Sequence, residues 1–259
     1  MLGALLGDIV GSTHEWSATK TKEFDFYLPA SFATDDSYAT IAVASCLLDG
    51  PTPDLYRQRL QDMVHRFPEA GWGGKFYQWA QSRTVAPYNS WGNGSAMRVS
   101  AVGFAVNSVD EVLSEAAQSA AVSHNHPEGI KGAQATAFAV LLARQGAGKD
   151  ELRERIASFA GYDLNRTVQQ VRATYAFTES CQETVPEAII AFLESTGVED
   201  AIRNAISLGG DADTLAAITG AIAHAHYGFP DASREFVRAR FPEDLWRIVE
   251  RFEERFGGE

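Results

Sequence analysis

Cysteine is scarce in this sequence, which has two, Cys46 and Cys181, among 259 residues. They lie far apart, and neither has a second cysteine at metal-ligand spacing. The sequence therefore indicates neither a disulfide scaffold nor a cysteine zinc site. We expect both to be buried thiols in a reducing cytoplasm.

A long hydrophobic run is also missing. The apolar N-terminus has no basic residues ahead of it and ends at Asp8, which is too short for a membrane span and lacks the pattern of a signal peptide. No other segment approaches transmembrane length. We therefore expect a cytoplasmic protein with no membrane partner.

Basic residues are few relative to acidic ones. The chain has 22 Lys and Arg against 34 Asp and Glu, for a net charge of -12. Long-range attraction to nucleic acid is disfavoured by this balance, and there is no basic stripe to offset it. A local pocket for the phosphates of a nucleotide remains compatible with it.

Low-complexity linkers and alternating strand patterns are absent, whereas apolar residues recur at helical spacing almost throughout. We predict an all-α protein whose compact domain spans residues 1–259, since splitting the chain would separate the two acidic clusters described next. Helices are predicted at 38–48, 95–106, 110–122, 130–144, 184–195, 199–207, 213–226 and 240–256, with loops at 67–74, 86–94, 123–129 and 227–231.

Two short acidic clusters stand near opposite ends of the chain. The first is Thr34-Asp35-Asp36 and the second is Gly209-Gly210-Asp211-Ala212-Asp213-Thr214, and each precedes an apolar run. Carboxylates and hydroxyls suit Mg²⁺, Mn²⁺ or Ca²⁺ better than zinc or copper. Helix capping would explain either cluster alone. Two clusters, each with one carboxylate more than capping needs, favour a shared metal site.

A glycine-rich turn and a histidine are further candidates. Gly92-Asn93-Gly94-Ser95 precedes a predicted helix, so its amides are suited to an anion, although a turn with a serine cap explains the same residues. His124 precedes another helix start. It either hydrogen-bonds loop backbone or serves a site, and zinc is disfavoured because no further ligand stands at suitable spacing.

Together these segments resemble the ADP-ribosylglycohydrolases. The resemblance runs nearly end to end and rests on five motifs in the family's order: Gly7-Asp8-Ile9-Val10-Gly11-Ser12 with Glu15, Thr34-Asp35-Asp36-Ser37, Gly92-Asn93-Gly94-Ser95-Ala96-Met97-Arg98, Ser123-His124, and Gly209-Gly210-Asp211-Ala212-Asp213-Thr214.

The resemblance implies an orthogonal multi-helix fold and a metal-dependent hydrolase that releases ADP-ribose from a modified acceptor by cleaving the glycosidic bond at C1″. It implies two divalent cations, Mg²⁺ or in some members Mn²⁺. By this resemblance the metal ligands are Thr34, Asp35, Asp36, Asp211, Asp213 and Thr214, the catalytic residues are Glu15, Asp35, Asp36 and Asp213, and the substrate-binding residues are Gly92, Asn93, Gly94, Ser95 and His124.

The acceptor is less defined. Glu15 stands where the serine-directed branch of the family has its catalytic glutamate, whereas the arginine-directed branch has an aspartate between the two middle motifs. Here that region offers Asp62 and Glu69 without an identifying motif. This departure favours an O-linked acceptor. Separately, we take a monomer as the default oligomeric state. Asp8 is expected to be structural.

Aromatic residues near the loops are candidates for stacking on adenine, namely Tyr88, Trp91 and Phe177, although a core role suits each equally. Three alternatives remain open. The chain acts on another ADP-ribosyl conjugate such as modified nucleic acid, it is a catalytically silent binding or structural member, or it is a phosphohydrolase. Intact acidic clusters argue against the second, and the absence of His-Asp ligand pairs argues against the third.

Overall fold

The fold is built from α-helices. A computed structural model describes residues 1–82 and 85–257, and within these residues there is no strand, only an isolated bridge between Gly92 and Ser180. This confirms the all-α prediction. The helices are α1 Leu2–Gly11, α2 Asp35–Asp49, α3 Pro53–Arg66, α4 Gly74–Gln81, α5 Gly94–Met97, α6 Ser100–Ala105, α7 Val109–Ala121, α8 Pro127–Arg144, α9 Lys149–Ala160, α10 Val168–Thr174, α11 Cys181–Leu193, α12 Val198–Ile206, α13 Ala212–Tyr227, α14 Arg234–Arg238 and α15 Glu243–Phe256, with a 3-10 turn at Asp231–Ser233.

The helix predicted over 95–106 is two short helices, α5 and α6. The chain turns at Arg98 and Val99, whose backbone angles lie near φ -90° and ψ -8°. These angles are typical of turns rather than of a continuous α-helix. The break coincides with burial of the Arg98 side chain, which donates from Nη2 to Ser119 O at 2.9 Å and Ser123 Oγ at 3.0 Å. The predicted loop at 123–129 also ends early, because α8 begins at Pro127, a favoured residue at the first helical position.

Helices α3, α4, α9, α10 and α14 were not predicted from the pattern. The two longer ones, α3 and α9, bury only a narrow stripe of apolar residues among many charged ones. Helical periodicity is weak where so few positions face the core.

Helix α1 lies unusually close to α13. A Cβ atom built on Gly11 would stand 2.5 Å from Asp213 Cα, and one on Gly3 or Gly7 would collide with the α13 backbone. These three glycines share one face of the helix at a spacing of four residues. Their missing side chains therefore allow α1 to bring the residues near its C-terminal end against the start of α13.

The buried apolar residues form one cluster that includes both ends of the chain, from Met1 to Phe252. Helix α13 is buried over most of its length and contacts α1, α8, α11 and α12, while the amphipathic α15 covers α2. His224 belongs to this interior, since its Nδ1 accepts from Gly3 N at 3.2 Å. Both cysteines are buried free thiols, as predicted. No helix in the described part of the chain is long and apolar enough to cross a membrane.

Candidate active site

The two acidic clusters meet in the fold. The first lies at the start of α2 and the second at the start of α13, so both present carboxylates at a helix N-terminus, where negative charge is favoured. Thr34 is also a true helix cap, because its Oγ1 accepts from Asp36 N at 3.3 Å. The segment Thr34-Asp35-Asp36 therefore caps α2 and also contributes a carboxylate to the shared site.

The carboxylates form two groups of three. Asp8, Asp36 and Asp213 each offer an oxygen within 4.8 Å of the others, and Glu15, Asp211 and Asp213 do the same. Asp213 is common to both groups. The structure therefore brings four of the predicted acidic residues together and adds Asp8.

Asp8 does more than sequence reasoning assigned to it. As expected for a structural residue it bonds a neighbouring loop: its Oδ1 accepts from Thr34 Oγ1 at 2.6 Å, and its Oδ2 accepts from the backbone amides of Thr34 at 3.0 Å and Ser37 at 3.1 Å. It also belongs to the first carboxylate group. The signal that could have found it was its place one turn before the end of a helix whose glycines permit a close approach.

The electrostatics of the first group call for a cation. Burial, and then the charge of Asp213, raise the pKa of Asp8 to about 7, and the same two causes raise the pKa of Asp36 well above its usual range. Asp36 Oδ1 is buried without a hydrogen-bond partner. Since an unpartnered buried carboxylate oxygen is costly and all donors here are hard oxygens, the residues present fit a divalent ion such as Mg²⁺ or Mn²⁺.

Other predicted ligands have different surroundings. Asp35 is partly exposed, lines the adjoining cavity and belongs to neither group of three. Thr214 is buried and donates from Oγ1 to Asp36 Oδ2 at 3.2 Å. Thr34 Oγ1 donates its proton to Asp8, so only a lone pair remains for an ion.

The glycine-rich turn is bonded directly to the second acidic cluster. Asn93 Nδ2 donates to Asp211 Oδ2 at 2.7 Å and to Thr184 Oγ1 at 3.1 Å, which holds the carboxylate in one orientation. Gly92, Asn93 and Gly94 line the cavity. Ser95 does not, because its hydroxyl is buried and donates to Gly129 O at 2.7 Å.

His124 faces the same turn. Its Nε2 lies 3.1 Å from where a Cβ on Gly94 would stand, which explains a glycine at that position. Its Nδ1 lies 2.8 Å from Ser123 Oγ, and that hydroxyl already accepts from Arg98 Nη2 at 3.0 Å. The serine hydroxyl keeps a proton that it can donate to Nδ1, and in that tautomer the imidazole proton stands on Nε2. Burial and the Arg98 charge lower the pKa of His124 well below its usual value, so the ring is neutral.

His124, the glycine-rich turn and the carboxylates other than Asp8 line one cavity of about 400 Å³. Its wall also includes Gly71-Trp72-Gly73-Gly74-Lys75-Phe76, of which all but Trp72 line the cavity. Sequence reasoning treated residues 71–74 only as part of a loop. Gly71 has a φ of +94°, which favours glycine. The run of glycines before a lysine was the available signal.

The three aromatic candidates separate in space. Tyr88 lines the cavity. Trp91 is 48% exposed and contacts the ring of His126, with Lys75 Nζ 5.9 Å from its centroid. Phe177 instead stacks on Trp16.

The described residues thus form an all-helical protein whose cavity combines clustered carboxylates with glycine-rich turns. A family model described as ADP-ribosylglycohydrolase matches residues 1–259. The chain therefore belongs to the ADP-ribosylglycohydrolase family, as the sequence motifs indicated, and is a glycosyl hydrolase.

Its relatives agree with this assignment. ADP-ribosylhydrolase ARH3 of Homo sapiens is 30% identical over 88% of this chain and 84% of that protein, and ARH3 of Mus musculus is 28% identical over 98% and 87%. ADP-ribosylarginine hydrolase Tri1 of Pseudomonas putida is 26% identical over 92% and 72%. A solved ADP-ribosylglycohydrolase-related protein complex has a TM-score of 0.74, with 24% identity over 98% of this chain and 95% of that one. This last match shows the fold.

Proposed function

We propose that this chain is a metal-dependent ADP-ribosylhydrolase that cleaves the C1″ glycosidic bond and frees ADP-ribose from an acceptor side chain. The observation that carries the proposal is the meeting of Glu15 with both acidic clusters in one cavity, beside a turn that Asn93 ties to Asp211. A substrate with a reactive ribose next to a diphosphate needs both carboxylates, which hold cations or transfer protons, and turns that bind phosphate.

Divalent cations would be held by the carboxylates of the two groups, with Asp35, Thr34 and Thr214 as further oxygen donors at their edge. The sharing of Asp213 supports two ions, of which Mg²⁺ is the first choice and Mn²⁺ the second. When bound, such ions supply a positive charge that orients ribose hydroxyls and polarises the reacting bond.

Glu15 is the chain's own candidate for proton transfer. It lies in the loop after α1, is half-buried, and belongs to the second carboxylate group. In the metal-free protein burial and the charge of Asp213 raise its pKa to about 7. A carboxyl whose proton is retained by burial is suited to give or take a proton at the glycosidic oxygen or at water. Neighbouring carboxylates would stabilise an oxocarbenium-like transition state.

Substrate positioning falls to the turns. The Gly94 amide and the Nε2–H of His124 are donors that suit the diphosphate, and Lys75 adds a positive charge to the same cavity. The amides of Gly92 and Asn93 already donate to Ser90 Oγ and Glu179 O, which fixes the shape of the turn. Ser95 would act indirectly by fixing the turn to Gly129. Trp91 is the exposed aromatic next to this turn and suits adenine stacking.

An O-linked acceptor remains favoured over an N-linked arginine. Asp62 and Glu69, the acidic residues considered for an arginine-type role, are exposed and do not line the cavity, whereas Glu15 does. Matches to ARH3 proteins and to an ADP-ribosylarginine hydrolase leave the acceptor to experiment.

The test is release of ADP-ribose from serine-linked, arginine-linked and DNA-linked substrates, each with Mg²⁺, with Mn²⁺ and with EDTA. We expect metal-dependent release from the serine-linked substrate. Glu15→Gln should abolish release while retaining ADP-ribose binding, and Glu69→Gln, an exposed control, should remain active. Release from no substrate by a protein that binds ADP-ribose would instead identify a silent binding member.

A further inference from the structure

Two large aromatic side chains lie exposed against each other beside the cavity. Trp16 is 80% exposed and Phe177 is 43% exposed, and their rings stack with centroids 5.4 Å apart and planes inclined by 24°. Leaving so much aromatic surface in water forgoes the stabilisation that burial would give. Paired exposed aromatics of this kind are typical of contact sites rather than of isolated surface residues.

The pair is placed at the acidic end of the cavity. Trp16 directly follows Glu15, and Phe177 stands two residues before Glu179; both glutamates line the cavity. Under the proposed function the glycosidic bond lies beside Glu15. Trp16, which follows Glu15 in the chain, is therefore close to the position from which the acceptor leaves, and Phe177 stacks on it.

Both segments are anchored. Lys20 Nζ donates to the backbone carbonyls of Arg172, Tyr175 and Leu208, which ties the loop after α1 to the segment that holds Phe177. Beyond Phe177, Glu179 O accepts from Asn93 N at 2.7 Å. The aromatic pair is thus part of a preorganised surface, which lowers the entropic cost of binding.

The charge around the pair is negative. Glu15 and Glu179 lie beside it, and Glu183 is exposed, with hydrogen bonds from Thr178 and Ser180 that lower the pKa of its carboxyl. The nearby Lys20 is engaged by backbone carbonyls. An exposed indole face next to carboxylates is suited to a cation, since aromatic rings attract Lys and Arg side chains.

We propose that Trp16 and Phe177 form an acceptor platform, which binds a polypeptide that has a basic residue next to its ADP-ribosylated side chain. This inference rests on the proposed function. It adds a class of substrate, a basic protein segment, and two specificity-determining residues to that reaction.

The experiment compares three substrates of one linkage: a peptide with Lys flanking the modified residue, the same peptide with Glu flanks, and a capped single modified amino acid. Trp16→Ala should lower kcat/KM for the Lys-flanked peptide about fivefold, and leave the capped amino acid nearly unchanged. Trp16→Phe should keep most of the wild-type kcat/KM for the Lys-flanked peptide. Phe32→Ala, which removes a 53% exposed aromatic of the same loop, is the matched control and should have no effect.

Binding of the fluorescently labelled, unmodified Lys-flanked peptide in the presence of ADP-ribose separates this inference from the proposed function. If wild-type protein hydrolyses none of the substrates but binds this peptide more tightly than Trp16→Ala does, the reaction is wrong and the platform stands. Equal losses on all three substrates, or equal peptide affinity in wild type and variant, would overturn the platform.

Discussion

Without divalent metal, the free energy of unfolding of this protein should fall as pH rises. The contribution of Asp8 to this fall can be measured by substituting that one residue. In the fold the pKa of Asp8 rises from the ordinary 3.8 to about 7, because the carboxyl is buried and faces Asp213. The folded chain then holds a proton that the unfolded chain has released, so the free energy of unfolding declines between these two values. Since a tenfold change in proton affinity is worth ~1.4 kcal/mol, Asp8 alone contributes on the order of 4 kcal/mol.

Asp8→Asn removes this ionisation. In EDTA at about pH 8 the variant should be more stable than wild type, by up to ~4 kcal/mol, and at about pH 4 the two should be nearly equal. Saturating Mg²⁺ should reverse the order at the higher pH, because an ion stabilises the wild-type carboxylates in proportion to its binding, and the variant has lost one of them.

The assay is urea unfolding followed by far-UV circular dichroism across this pH range, with EDTA and with Mg²⁺. The lowered pKa of the buried histidines makes the free energy of unfolding rise with pH. Comparing variant with wild type at each pH cancels this contribution, because both proteins have the same histidines. Asp62→Asn, on the exposed side of α3, is the control and should differ from wild type by no more than ~0.5 kcal/mol. Parallel pH profiles for wild type and Asp8→Asn would refute the reasoning.

Three further predictions concern two groups at the cavity and one glycine in the contact between α1 and α13. Asn93→Ala should lower metal affinity or kcat roughly tenfold, since it removes the amide that orients Asp211; unchanged metal titration and turnover would contradict this. The ¹⁵N shifts of His124 should report a neutral Nε2–H ring at about pH 7, and Ser123→Ala should weaken that preference; an imidazolium spectrum would count against it. Gly7→Ala should destabilise the fold by ~3 kcal/mol or more, measured by urea unfolding, because its Cβ meets the α13 backbone.

Helical periodicity predicted the strongly apolar helices well, since those helices bury several faces. It failed for α3 and α9, where few positions touch the core, and it did not anticipate the break between α5 and α6. That break coincides with hydrogen bonds from Arg98 to Ser119 and Ser123, which are more than 20 residues away in sequence. Pattern alone has no access to such contacts.

The residues of the candidate site were also predicted only in part. Acidic clusters, the Asn-Gly turn and His124 all came from motifs, and the structure brings them to one cavity. No motif predicted the role of the glycine-rich segment before Phe76 or the exposed stacking of Trp16 on Phe177. The sequence of a loop does not say which cavity the loop borders. Their assignment required the positions of the surrounding helices.

By itself, the sequence determined the chemistry available to this protein: hard oxygen ligands in two clusters, a flexible glycine turn, and an excess of negative charge. Only the tertiary structure decided how that chemistry is shared. Asp8 joins Asp36 and Asp213 because α1, lacking side chains on one face, lies against α13. Interactions between carboxylates depend on distances of a few ångströms, and such distances between remote segments are set by helix packing.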